Sequence, residues 1–116
     1  MAATGAIQGV IDIAARRALR HSLADFGCEG AELREMPCEG RVVYYVPRLR
    51  RLVWVGAAIL PQRPAGLASA EARPMLALAQ GLEAEPWQAL VLLRPTFLPQ
   101  AVIWLRLGAE TAATPA

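Results

Sequence analysis

Three side chains of this sequence could carry nucleophilic chemistry, namely His21, Cys28 and Cys38. A catalytic thiolate needs a neighbouring base, and that base needs a third group to orient it. His21 is the only histidine, and no G-x-S-x-G, H-E-x-x-H or glycine-rich phosphate-binding sequence accompanies it. We therefore predict a protein without catalytic residues, and a small thiol-dependent enzyme is the least favoured alternative.

The two cysteines each open a Cys-Glu-Gly tripeptide, and a predicted strand at 31–36 lies between them. A straight strand rises about 3.3 Å per residue, which would hold the sulfur atoms about 20 Å apart and out of disulfide range. A zinc site needs more ligands than one histidine and two distant thiols provide. We expect free thiols, no metal and no cofactor.

Arginines and tyrosines lie close together around a predicted hairpin, a combination that single-stranded nucleic acids contact. The arginines are Arg41, Arg48, Arg50 and Arg51, and the tyrosines are Tyr44 and Tyr45. The formal net charge of +2 is small for a nucleic-acid-binding domain. A nucleic-acid-binding accessory protein that uses the arginine-rich hairpin end is therefore the alternative function.

This hairpin is the element that the other elements must be arranged around. Residues 42–46 and 52–55 are mostly β-branched or aromatic, and a short turn that contains Pro47 separates them. We expect Tyr44 to pair with Val53. Both faces of the hairpin are apolar, whereas a sheet with one face in water alternates apolar with polar residues. Helices or a partner must therefore cover both faces.

The whole chain predicts an α+β fold with the order α-β-β-β-α-β-β. We expect a five-stranded, mainly antiparallel sheet with the helices packed on one face. The predicted elements are helices at 6–26 and 69–80 and strands at 31–36, 42–46, 52–55, 88–94 and 101–107. They form a single domain at 6–108, between a flexible N-terminus at 1–5 and a disordered C-terminal tail at 109–116.

The composition holds more apolar surface than a small domain can bury. Hydrophobic residues make up 55% of the 116 residues and charged residues 19%, against about 25% charged residues in typical soluble domains. A small body has much surface and little interior. We therefore predict a protein partner, in a homodimer or a hetero-complex.

The element order is similar to that of the small secretion chaperones of bacterial type III systems. That resemblance implies a dimer that binds extended segments of other proteins. The positive net charge of +2 departs from the acidic character usual for those chaperones.

We predict a non-catalytic protein-binding module, that is, an assembly subunit, an adaptor or a secretion-chaperone-like factor. It would dock its partner through an apolar sheet face or through an edge strand at 31–36 or 101–107. The predicted partner-binding side chains are Val43, Tyr45, Trp54 and Trp104, since aromatic residues dominate interface energies. The first residues lack the pattern of a signal peptide, and Arg94 and Pro95 interrupt the most apolar late window. We expect a cytoplasmic bacterial protein without a membrane span.

Overall fold

The computed structural model describes residues 2–108, with side chains from residue 7 onward. The predicted α+β class and element order are confirmed. The elements are α1 (Ala2–Ala24), β1 (Arg34–Cys38), β2 (Arg41–Val46), β3 (Arg51–Ile59), α2 (Ser69–Gly81), β4 (Glu85–Leu93) and β5 (Pro99–Arg106). Helix α1 begins inside the segment 1–5 that we expected to be flexible. Met1 and the predicted tail at 109–116 lie outside the described residues.

The five strands form one sheet in the order β1-β2-β3-β4-β5. All neighbours are antiparallel except β3 and β4, which run parallel. Parallel neighbours need a crossover of about a dozen residues or more, and α2 provides it. The β2–β3 ladder has the predicted register, with Tyr44 opposite Val53 and Tyr45 opposite Leu52.

Helix α1 packs on one face of the sheet through a stripe of residues at helical spacing. Leu19 and Leu23 are buried in a cluster with Val46, Val53 and Ala89. Nearer its N-terminus, the same stripe packs on the far ends of β3 and β4. The helix therefore buries one apolar stripe along most of its length.

Helix α2 packs on the opposite face. Its Met75 is buried in a second cluster with Val43 and Leu52. Successive strand residues point to opposite faces, so Leu52 under α2 and Val53 under α1 lie on different sides of the sheet. This arrangement differs from our expectation that both helices lie on one face. The physical reason is that both faces of β2 and β3 are apolar, and each needs its own cover.

Gly56 in β3 makes room for the indole ring of Trp54. A Cβ atom at this position would lie 2.6 Å from two atoms of the Trp54 ring and 3.2 Å from Cδ2 of Leu90. Carbon atoms do not approach to 2.6 Å without a rearrangement. The glycine therefore lets Trp54 lie across its own strand under α2.

Gly56→Ala is expected to lower the free energy of unfolding by about 1 to 3 kcal/mol, because the new methyl group must displace a packed ring. Urea denaturation followed by tryptophan fluorescence measures the change. Gly9→Ala is the matched control: nothing lies within 4 Å of its added Cβ, and alanine in a helix stabilises by about 0.5 to 1 kcal/mol. Equal unfolding midpoints for the two variants would contradict the proposed packing of Trp54.

Candidate protein-docking surface

One helix on each face cannot cover five strands. A helix with its side chains is about 10 to 12 Å wide, whereas five strands about 4.8 Å apart span about 19 Å. Helix α1 lies over β3, β4 and β5, and α2 lies over β1, β3 and β4. On the α2 side, the edge strand β5 and the end of β4 at Leu92 therefore remain partly exposed, whereas Leu90 is buried.

The uncovered area carries apolar side chains, and we call it the open face. Its members point to the α2 side of the sheet from β4 and β5 and are Leu92, Ala101, Ile103 and Leu105. Ile103 is 44% exposed and Leu105 41%. Single exposed hydrophobic residues are normal, but adjacent ones on paired strands form a patch of the kind that marks an interaction site.

The two edge strands are the ones that the sequence predicts, and they differ in character. Strand β1 carries Arg34, Glu35 and Pro37, and charges and proline protect an edge from pairing with another chain. Strand β5 has no charged residue between Pro99 and Arg106. Strand β5 is therefore the unprotected edge, and it borders the open face.

The structure places the four predicted partner-binding side chains in or beside the core. Val43 is 1% exposed, and half-buried Tyr45 and Trp54 pack against the cluster beneath α2. Trp104 is half-buried on the other face, where its Nε1 donates a hydrogen bond to Oγ of Ser22 at 2.6 Å. The exposed apolar surface is formed by other residues.

Ile103 and Leu105 are the residues that the sequence analysis missed. They stand on either side of Trp104 in the chain, and strand alternation turns them to the face opposite Trp104. Trp104 itself packs edge to face with Phe26, with 5.5 Å between the ring centroids. The available signal was this period of two, combined with the position of 101–107 as a predicted edge strand.

The four arginines of the predicted nucleic-acid contact do not form one patch. Arg41 begins β2 and forms an ion pair with Glu71 of α2, whereas Arg48 and Arg50 lie exposed in the turn at the other end of that strand. Six residues of strand span about 17 Å, so Arg41 is well separated from the turn.

Arg51 is held between aromatic rings. Its guanidinium carbon lies 4.3 Å from the ring centroid of Trp87 and 5.0 Å from that of Phe26. Its Nη1 atom is buried and has no hydrogen-bond partner among the described residues. Contact with two ring faces offsets part of that desolvation, and Arg51 is therefore better placed for packing than for a phosphate contact.

The three residues that could carry nucleophilic chemistry do not come together. His21 and Cys28 line one cavity of about 250 Å³, but the buried Cys28 thiol is directed at the carbonyl oxygen of Phe26, 3.6 Å away. Cys38 packs with the cluster on the opposite face of the sheet. Both cysteines are free. Among residues 2–108, no group of three or more His, Cys, Asp or Glu side chains is arranged to hold a metal ion.

A groove of about 500 Å³ lies where β2 and β3 separate. Only three residues of β3, at 51–53, pair with β2, and the remainder pairs with β4 alone. Arg16 and Glu35 on the groove wall form an ion pair of 2.7 Å. Burial, and secondly the charge of Glu35, raise the pKa of the Tyr44 hydroxyl, so Tyr44 stays neutral and presents a hydroxyl group to the groove.

Comparison of the chain with protein-family models, with curated proteins and with solved structures finds no match. In the part of the chain that the structure describes, no helix has the length and apolar character needed to cross a membrane.

Cys38 is expected to react slowly with alkylating reagents, because burial, and secondly the charge of Glu39, raise the pKa of its thiol above its ordinary value. The thiolate is the reactive form, and its fraction at a given pH falls when the pKa is raised. In a Cys28→Ala chain, the midpoint of iodoacetamide labelling against pH, followed by mass spectrometry, is expected above the midpoint for the same protein unfolded in urea. A midpoint in the neutral range would instead indicate an activated thiol and favour the enzyme alternative.

Proposed function

We propose that this protein is a non-catalytic protein-binding module that docks a partner on the open face and the β5 edge. The observation that carries the proposal is the combination of exposed Ile103 and Leu105 with an edge strand that has no charged residue between Pro99 and Arg106. Assembly subunit, adaptor and secretion-chaperone-like factor are the forms of this function that we consider. The cytoplasmic location belongs to the same proposal.

Energetics favour this site over the rest of the surface. Burying one large apolar side chain contributes about 1.5 to 3 kcal/mol, and Ile103 and Leu105 are neighbours on one face of one strand. The free N–H and C=O groups of an edge strand can add hydrogen bonds to a docked strand. Ile13 is exposed to a similar degree but lies on α1, where the backbone groups are already bonded within the helix.

Nucleic-acid binding has less support than protein docking. Only Arg48 and Arg50 of the four candidate arginines lie in the exposed hairpin turn. Tyr45 packs against the cluster beneath α2, so its ring is not free to stack on a base. Binding to nucleic acid would fall steeply with added salt, whereas docking on the open face would change little.

A photo-reactive amino acid at Leu105 tests the proposal. The sequence contains no lysine, so amine-directed cross-linkers would miss this surface, and p-benzoylphenylalanine is the better probe. After irradiation in the organism that encodes the protein, we expect a discrete polypeptide adduct at position 105. The same probe at Ile13, an exposed apolar position of α1 with 47% exposure, is the matched control and should give no such adduct.

Ile103→Glu in the probe-carrying chain is expected to reduce the adduct about tenfold or more, because it removes one buried apolar contact and introduces a charge. Ile13→Glu should leave the adduct unchanged. Adducts of equal yield at both positions, or adducts that resist Ile103→Glu, would show that the open face is not a docking site.

A further inference from the structure

We infer that the partner at the β5 edge is a second copy of this chain, which pairs its own β5 antiparallel about a twofold axis at Ile103. This inference rests on the proposed function and names the occupant of the β5 edge, which is one part of that site. Two five-stranded sheets would then join into one continuous sheet of ten strands.

The backbone geometry fixes which groups of β5 are free to pair. The Leu107 N–H donates to the Pro86 carbonyl oxygen at 2.8 Å. Because the hydrogen-bonding direction alternates along a strand, Ile103 and Leu105 bond towards β4 as Leu107 does. The backbone groups of Val102 and Trp104 therefore point out of the sheet at its edge.

A twofold axis perpendicular to the sheet leaves the α1 side of both copies on the same side of the joined sheet. A residue whose backbone groups point out of the edge must then lie opposite another such residue. An axis at Ile103 meets this condition. It pairs residues 100–106 of one copy, in antiparallel order, with residues 100–106 of the other over their full length. Val102 then pairs with Trp104 of the second copy, and Ile103 lies opposite Ile103 of the second copy. A shift by two residues in either direction would shorten the overlap.

Side chains in this register suit one another. On the open face, Ile103 meets its own copy and Leu105 meets Ala101, which brings both half-exposed residues into apolar contact. On the α1 side, Trp104 meets Val102, an aromatic and β-branched pair that is favourable across strands. The only charge on the strand, Arg106, faces neutral Gln100, so no like charges meet.

The contrast between the two edges favours a closed dimer over other assemblies. Docking of β5 onto β1 of another copy would repeat from copy to copy and form filaments. The β1 edge opposes such pairing, because it carries Arg34, Glu35 and Pro37. Pairing of β5 with β5 consumes both unprotected edges at once. Only the protected β1 edges remain outside.

A cysteine at position 103 tests the register. In the full chain with Cys28→Ala and Cys38→Ala, Ile103→Cys places two thiols opposite each other at a non-hydrogen-bonded pair, with Cα atoms about 4.5 Å apart. That separation suits a disulfide, and mild oxidation is expected to convert most of the protein to a covalent dimer. Ala101→Cys alone should remain uncross-linked, whereas a mixture of Ala101→Cys and Leu105→Cys chains should cross-link.

Light scattering of the natural sequence tests the dimer itself, and the expected mass is twice the chain mass of 12.5 kDa. Ile103→Glu is expected to raise the dimer dissociation constant about tenfold or more. Ile13→Glu, at a position of similar exposure (47% against 44%), should leave it unchanged.

A monomeric natural chain, or oxidation of Ile103→Cys no faster than that of Ala101→Cys, would overturn the inference. If the probe at Leu105 still captures a different protein, only the second-copy partner is wrong. If that probe captures nothing, the proposed function fails as well.

Discussion

The arrangement of this molecule depends on one constraint: the central strands are apolar on both faces, and each face has a single helix to cover it. Val53 lies beneath α1 and its neighbour Leu52 beneath α2. A helix covers about half the width of a five-stranded sheet. The two helices are offset towards opposite edges, so each face keeps one uncovered end. The groove at β2 lies at one of these ends, and the open face lies at the other.

Local sequence predicted the elements and the edges well because these features depend on short-range preferences. The β-branched and aromatic runs of β2 and β3 determine a hairpin register in which a slip by one residue would reverse every face. Both predicted edge strands are edges in the sheet. The face of the sheet on which α2 lies was not predicted correctly. It depends on the crossover from β3 to the parallel strand β4, and the spacing of residues within α2 carries no information about that crossover.

The apolar surplus of the sequence predicted exposed apolar surface, whereas the residues that form this surface differ from the four that we named. The surplus of apolar residues indicated an uncovered surface, but it could not distinguish Trp54, which has Gly56 beneath its ring, from Ile103, which has no helix above it. The tryptophans and tyrosines of this chain are half-buried against its clusters. Trp104 is fixed by Ser22, and Trp87 and Phe26 enclose the guanidinium group of Arg51. Aliphatic residues such as Ile103 and Leu105 are exposed instead.

The difference between the two edges supports the proposal that the exposed apolar area is a specific site. If the exposed apolar residues only reflected the small interior of a short chain, the two edge strands would be equally open to pairing with another chain. Instead β1 ends the sheet with Arg34, Glu35 and Pro37, while β5 continues to Leu105 without a charge. The same sheet thus opposes association at one side and permits it at the other. Such a difference between the edges is what the proposed docking at β5 requires, because an unpartnered monomer would gain from protecting both sides.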